Sequence, residues 1–340
     1  MIIRSKAPLR IGLAGGGTDV SPYSDLYGGA VLNATITLYA YATIIPRDDD
    51  QIIFYLHDRH ETHRFDAALR LPTDNSAGLI AAIYNRVTED FTHRPLAFEL
   101  HSFVDAPAGS GLGTSSTLVV AILGAFAEWL GLPLGEYDLA QLAYRIERKD
   151  MHMAGGKQDQ YAATFGGFNF MEFYNGDRVV INPLRIRNTI LNELSQNLVL
   201  FYTSTTHDSS SIIRNQQRNV ADKNQRSIEA MHRLKDQAVQ MKEALLKGNL
   251  NQIGEILNVG WTCKRQMAEG ISTTLFEELY DTALKAGALG GKISGAGGGG
   301  FIFFYCPGTT RYHVIEALQR FCGRVQPYQF TKNGLLTWKA

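Results

Sequence analysis

The chain has 340 residues, 45% of them hydrophobic and 19% charged, enough for two domains or one large one. Lys+Arg and Asp+Glu both number 33, so the formal net charge is zero and nothing points to nucleic acid or an anionic membrane as a partner. Three cysteines without CxxC spacing suggest neither a disulfide framework nor a zinc site and fit a reducing cytoplasm.

Met1–Pro8 shows no signal-peptide core, and residues 2–13 read as a strand ending near Ala14. Gly15-Gly16-Gly17-Thr18-Asp19 follows; taken alone it is a glycine turn with a surface aspartate. Residues 30–46 and 51–56 have strand composition. His57, His60 and His63 lie among charged residues and read as solvated rather than as a metal site. Leu79, Ile80, Ile83 and Val87 predict a helix over 77–92, and 96–103 a strand.

That strand leads into Pro107-Ala108-Gly109-Ser110-Gly111-Leu112-Gly113-Thr114-Ser115-Ser116-Thr117. Glycines at alternate positions let the backbone approach a ligand, and Thr114 to Thr117 offer N-cap chemistry for the helix that follows. Free N–H groups and the helix dipole there favour an anion such as phosphate; a plain helix cap is the alternative. The loop lacks the lysine of a Walker loop and the glycine spacing of a dinucleotide fingerprint. It therefore reads as a lysine-free phosphate loop. The following helix should stop at Gly131-Leu132-Pro133, and its apolar run, Leu118 to Ala127, is shorter than the roughly 20 residues that span a bilayer.

A second helix starts near Gly135-Glu136 and carries Leu139, Leu142, Ala143, Ile146 and Met151. Glu147 sits one position off that stripe, either flanking the phosphate loop or on a charged face with Arg145, Arg148 and Lys149. In Gly155-Gly156-Lys157-Gln158-Asp159-Gln160, Lys157 and Asp159 read equally as surface residues when taken alone. A hairpin turns at Asn175-Gly176-Asp177, and a change of domain falls near 187–192. Residues 198–202 are a strand, 203–211 a hydroxyl-rich loop suited to phosphate or sugar, and 222–247, 249–268 and 274–287 helices. Lys264-Arg265 is either an exposed helix end or a pair reaching an anionic substrate. In 290–305 a strand, a glycine loop and a strand follow one another; 295–300 fit GxGxxG, but an apolar β run stands where a dinucleotide fold needs a helix. A helix over 310–320 and one or two closing strands over 323–339 complete the chain.

Three of these segments together resemble the GHMP small-molecule kinases: Ala7-Pro8-Leu9-Arg10 with Gly15 to Asp19, the 107–116 loop, and the 290–301 glycine segment. The resemblance spans residues 4 to 305. It implies an α+β fold of two domains: an N-terminal mixed α/β domain with a ribosomal-S5-like motif (1–188) and a C-terminal ferredoxin-like α/β domain (189–340). It implies ATP bound by Pro107, Gly109, Ser110, Gly111, Leu112, Gly113, Thr114, Ser115 and Ser116, with Mg²⁺ held by Ser115 and Glu147. Asp159 and Arg10 would be catalytic. Gly16, Gly17, Thr18, Asp19, Lys157, Gly297 and Gly298 would face the substrate. The family's sugar kinases commonly carry Glu-His where this chain has Gly16-Gly17, which argues against galactose and leaves room for a bulkier acceptor. The wording of the motifs is most similar to the branch acting on D-glycero-D-manno-heptose 7-phosphate, which implies transfer to the anomeric C1 hydroxyl. A fucokinase, or a non-catalytic sugar and ATP sensor on the same fold, are the other readings. The expected partners are a sugar or sugar phosphate and ATP, with no nucleic acid and no membrane; the oligomeric state is open, a homodimer included.

Overall fold

The computed structural model describes residues 1–205 and 209–340. Apolar residues at alternate positions of β1 (Ile3–Ala14) and of the long β2 (Gly29–Pro46) give one sheet face to the core. Between them lies a short helix α1 (Tyr23–Tyr27). The chain continues through β3 (Gln51–Leu56), β4 (Glu61–Asp66), α2 (Gly78–Val87), β5 (Phe98–Val104), α3 (Thr114–Leu130), α4 (Glu136–Arg145) and α5 (Gln158–Phe165). A hairpin, β6 (Phe168–Phe173) and β7 (Val179–Pro183), then returns to β2. β2 is long enough to serve two partners: its first half pairs with β6 and its second half with β5. The resulting sheet runs β4-β3-β5-β2-β1, with the final strand β12 (Leu336–Lys339) added on β1. α3 is apolar nearly all round, and accordingly it is buried between β1 and β2 on one side and α2, α4 and α5 on the other.

After α6 (Asn188–Asn197) a second sheet begins with β8 (Leu198–Tyr202). Four helices follow, α7 (Ser209–Ala221), α8 (Gln225–Lys247), α9 (Leu250–Lys264) and α10 (Thr274–Lys285). Then come β9 (Gly290–Ile293), β10 (Phe301–Tyr305), α11 (Thr310–Leu318) and β11 (Arg324–Val325). The sheet is antiparallel in the order β11-β8-β10-β9, the ferredoxin-like arrangement with helices after its first and third strands. α9 lies on β9 closely enough that a Cβ on Gly290 would stand 2.1 Å from the Gly254 carbonyl oxygen. That contact carries Lys264, at the end of α9, and Lys292, in β9, to the same edge of the sheet.

Several elements depart from expectation. α1, α6 and β4 were not legible, and α7 begins at Ser209, inside the stretch read as a loop over 203–211, and runs on to Ala221. Part of that loop, 206–208, lies outside the described residues. The helix expected over 77–92 widens into a π-helical turn after Val87, and so does the one carrying Glu147, over Ile146–Asp150. Among the described residues no helix is long and apolar enough to cross a membrane.

Candidate active site

The glycine loop after β5 and the glycine loop between β9 and β10 are packed on each other. The Gly111 Cα lies so close to the second loop that a Cβ would stand 2.4 Å from the Ser294 carbonyl oxygen, and its φ of 83° also demands glycine. Ser294 Oγ donates to the Gly111 carbonyl at 2.8 Å, and the Phe301 amide donates to the Ser110 carbonyl at 3.0 Å. A cleft of about 740 Å³ opens where the two loops meet the Gly15–Asp19 turn, α5 and the ends of α7 and α9.

The start of α3 faces this cleft. The N-cap is Gly113, in a left-handed conformation, and no side chain caps the helix. Thr114 to Thr117 are therefore not the cap expected from their chemistry: they form the first turn, and Thr114, Ser115 and Ser116 line the cleft. An uncapped first turn leaves its N–H groups and dipole for an anion. Ser115 Oγ donates to Glu147 Oε1 at 3.0 Å. Glu147 is fully buried, and Gln160 Nε2 donates both to its other carboxylate oxygen and, at 3.1 Å, to Ser116 Oγ. The widened turn at Ile146–Asp150 thus brings the carboxylate inward, off the charged face it shares in sequence with Arg145 and Lys149.

Arg10 projects from β1 beneath the loop and is almost wholly buried. Its Nε donates to Asp159 Oδ1 at 2.7 Å and its Nη1 to the Gly111 carbonyl at 2.6 Å, so it ties loop and carboxylate together. Asp159, in the first turn of α5, lies beside Gly113: a Cβ there would be 3.2 Å from its carboxylate. Asp19 is buried and, among the described residues, forms no ion pair. It accepts from the Gly17 amide at 3.1 Å, the Gln158 amide at 3.0 Å and Gln158 Nε2 at 3.1 Å. Burial, reinforced by the charge of Asp159, raises its carboxyl above the usual aspartate value even against those amides.

Other residues singled out from the sequence fall differently. Gly16 and Gly17 line the cleft, but Thr18 is a buried strut whose hydroxyl bonds the Gly15 and Ala30 carbonyls. Lys157 turns away: its ammonium bonds Asp25 and the carbonyls of Tyr174 and Gly176, because the β6–β7 turn presents two acceptors beside the start of α5. Leu112 is buried in the core, and Gly298 donates its amide to the Ile271 carbonyl at 2.9 Å; it is Gly295 and Ala296 that face the cleft. Ser110 is buried, and neither it nor Pro107 and Gly297 line the cleft. Missed from sequence were Gln158 and Gln160, which hold Asp19 and Glu147, and Lys292. Their one signal is that the two glutamines flank Asp159.

Residues 78–167 match the GHMP kinases N terminal domain and residues 241–324 the GHMP kinases C terminal domain. Over 337 residues the chain is 49% identical to a Campylobacter jejuni protein named D-glycero-alpha-D-manno-heptose 7-phosphate kinase, covering 99% of each. This chain belongs to the GHMP kinases. A crystal structure of a D-glycero-D-manno-heptose 1-phosphate kinase from Bacteroides thetaiotaomicron is 46% identical and superposes with a TM-score of 0.85 over 99% of both chains. A Bacteroides fragilis L-fucokinase/L-fucose-1-P guanylyltransferase is 26% identical over 89% of this chain and 34% of its own length. Membership makes this GHMP kinase a phosphotransferase with ATP as its donor.

In this GHMP kinase the α5 start is also a steric test of Asp19. A Cβ on Gly156 would stand 1.9 Å from Asp19 Oδ2. Gly156→Ala is therefore expected to destabilise the protein by about 1–3 kcal/mol, read as a lowered Tm, and to raise the acceptor KM because the carboxylate must move. An unchanged acceptor KM would separate Asp19 from acceptor binding.

Proposed function

We propose that this kinase transfers the ATP γ-phosphate to the anomeric C1 hydroxyl of D-glycero-D-manno-heptose 7-phosphate, giving the 1,7-bisphosphate. The observation that carries this reading is the 49% identity to the Campylobacter jejuni heptose 7-phosphate kinase over the full length of both chains. The B. thetaiotaomicron relative is named for the 1-phosphate. A heptose already esterified at C1 offers no hydroxyl there, so the two acceptors require transfer to different oxygens. We assign residues 1–188 and 189–340 as the two domains, with β12 crossing back to the first sheet.

In this reading the 109–116 loop and the first turn of α3 receive the nucleotide phosphates through backbone N–H groups and hydroxyls. Asp159 stands where it takes the C1 hydroxyl proton or orients that hydroxyl for in-line attack. Arg10, fixed on Asp159 at 2.7 Å, offsets negative charge on the attacking and transferring oxygens. Asp19, held by Gln158, accepts from sugar hydroxyls over the Gly16–Gly17 turn. Ser115 Oγ and the Glu147 carboxylate, 3.0 Å apart at the cleft, form a hard oxygen donor pair that fits Mg²⁺ completed by phosphate and water. Bound there, Mg²⁺ would neutralise charge on the donor phosphates. Gln160 fixes the Glu147 carboxylate for that role. A nucleotide-dependent reaction on a sugar phosphate belongs in the cytoplasm.

A panel of acceptors tests this: ADP release is measured with heptose 7-phosphate, heptose 1-phosphate, L-fucose, galactose and mevalonate. The heptose 7-phosphate is expected to exceed the rest by at least about 100-fold in kcat/KM, a gap of roughly 3 kcal/mol, which the interactions of one charged group supply. Turnover of fucose in preference would install the fucokinase reading, and no turnover of any acceptor the sensor reading.

A further inference from the structure

Lys264 and Lys292 are two buried ammonium groups on the wall of the cleft. Each bonds one backbone carbonyl: Lys264 Nζ that of Gly295, and Lys292 Nζ that of Gly12 at 2.9 Å. Neither forms an ion pair within 4 Å among the described residues, and the nearby carboxylates are already engaged, Asp159 by Arg10 and Asp19 by Gly17 and Gln158. Burying amines beside Arg10 with no ion-pair partner among the described residues is costly unless an anion joins them. Their position says which anion. Lys292 Nζ lies 3.5 Å from where a Gly16 Cβ would be and 3.9 Å from a Gly12 Cβ, so it sits at the Gly16–Gly17 turn, and the charge of Asp19 acts on both amines.

We infer that Lys264 and Lys292 form the subsite for the phosphate monoester of the acceptor, and so determine the preference for a phosphorylated over a plain sugar. This rests on the reading of the acceptor as a sugar phosphate. The bare glycine at 16 leaves the volume, and the C-terminal half adds two positive charges to that of Arg10. The protonation of the two amines is coupled to that preference. Burial, with the charge of Arg10 outweighing that of Asp19, pushes Lys264 down to about 7. Burial, then Lys264 and Arg10, push Lys292 well below the usual lysine value. A phosphate dianion between the amines reverses this, so binding takes up protons. His152 and Arg214 also line the cleft.

The test uses the full-length enzyme and its Lys264→Met, Lys292→Met and Lys264→Arg variants, with heptose 7-phosphate and unphosphorylated heptose as acceptors. Either methionine variant should raise KM for heptose 7-phosphate about 10–100-fold, the weight of a charge-assisted hydrogen bond, and at least tenfold more than for plain heptose. The ligand-free Tm should hold or rise, since a buried charge is replaced by an apolar stem. KM for heptose 7-phosphate should climb as pH rises above about 7, where free Lys264 loses its proton and the phosphate is already dianionic; Lys264→Arg, charged throughout, should flatten that climb. Calorimetry in buffers of different ionisation enthalpy should show proton uptake on binding heptose 7-phosphate at pH 8, lost in Lys264→Met. Equal losses for both acceptors, or losses appearing in the KM for ATP, would overturn the inference in favour of a nucleotide contact. Wild-type enzyme that uses plain heptose as well as the phosphate would instead overturn the acceptor reading itself, whatever the variants do.

Discussion

Asp159→Asn is expected to lower kcat by about 10²–10⁴-fold while ATP affinity changes by less than about twofold. The substitution keeps the side-chain volume, and its amide oxygen still accepts from Arg10, whose Nε now lies 2.7 Å from the carboxylate. What it removes is the capacity to take a proton and the negative charge beside the attacking hydroxyl. Steady-state ADP release and nucleotide titration by fluorescence would measure the two quantities separately. If the variant kept more than about a tenth of wild-type kcat, Asp159 would be confined to orienting the acceptor, since general-base catalysis contributes at least 10²-fold. A matched loss of ATP affinity would instead mean that the ion pair with Arg10 supports the loop through the Gly111 carbonyl, rather than acting in the chemistry.

The parts of the site legible in the sequence are those whose backbone is the function. Gly111 and Gly295 touch each other across two segments 184 positions apart, a demand that only glycine meets and that leaves a visible cluster in the chain. Most strands were legible for a similar reason, because alternation in β1 and β2 records a buried face; β4, polar along its length, was not. The residues whose direction depends on tertiary packing were harder to read. Lys157 lies two positions before Asp159, yet the Asp25 carboxylate of α1 and two carbonyls of the neighbouring hairpin claim it. Lys264 looked like an exposed helix end because its helix is amphipathic up to that point; only the docking of α9 on β9 turns it inward. α7 has few buried apolar residues, Ile212 and Val220 among them, and many Asn, Gln and Arg, so its periodicity is faint and its helicity rests on packing against α8 and the Gly17 turn. No sequence rule marks the π-helical turn that buries Glu147.

Glu147→Gln is expected to weaken metal binding and to lower kcat/KM for ATP by about 10²–10³-fold, because a metal ion contributes several kcal/mol of charge stabilisation and each 1.4 kcal/mol is a factor of ten. The surroundings make this a clean removal of charge. Gln160 donates to Glu147 through Nε2, while its own Oε1 is buried with no hydrogen-bond partner among the described residues. When residue 147 becomes an amide, the Gln160 side chain can flip and offer that oxygen to the new donor, and the 147 oxygen still accepts from Ser115 Oγ. Tm should therefore stay close to wild type, which it would not if Glu147 were only a strut in a buried network. Titration with Mn²⁺ followed by electron paramagnetic resonance, in the presence of a non-hydrolysable ATP analogue, reads the metal affinity directly. Wild-type Mn²⁺ affinity in the variant would take Glu147 out of the metal's ligand set and leave Ser115 to be explained by the phosphates alone. Loss of affinity at constant Tm would tie the widened turn at Ile146–Asp150 to the metal, since it is that turn which carries this carboxylate to the mouth of the phosphate loop.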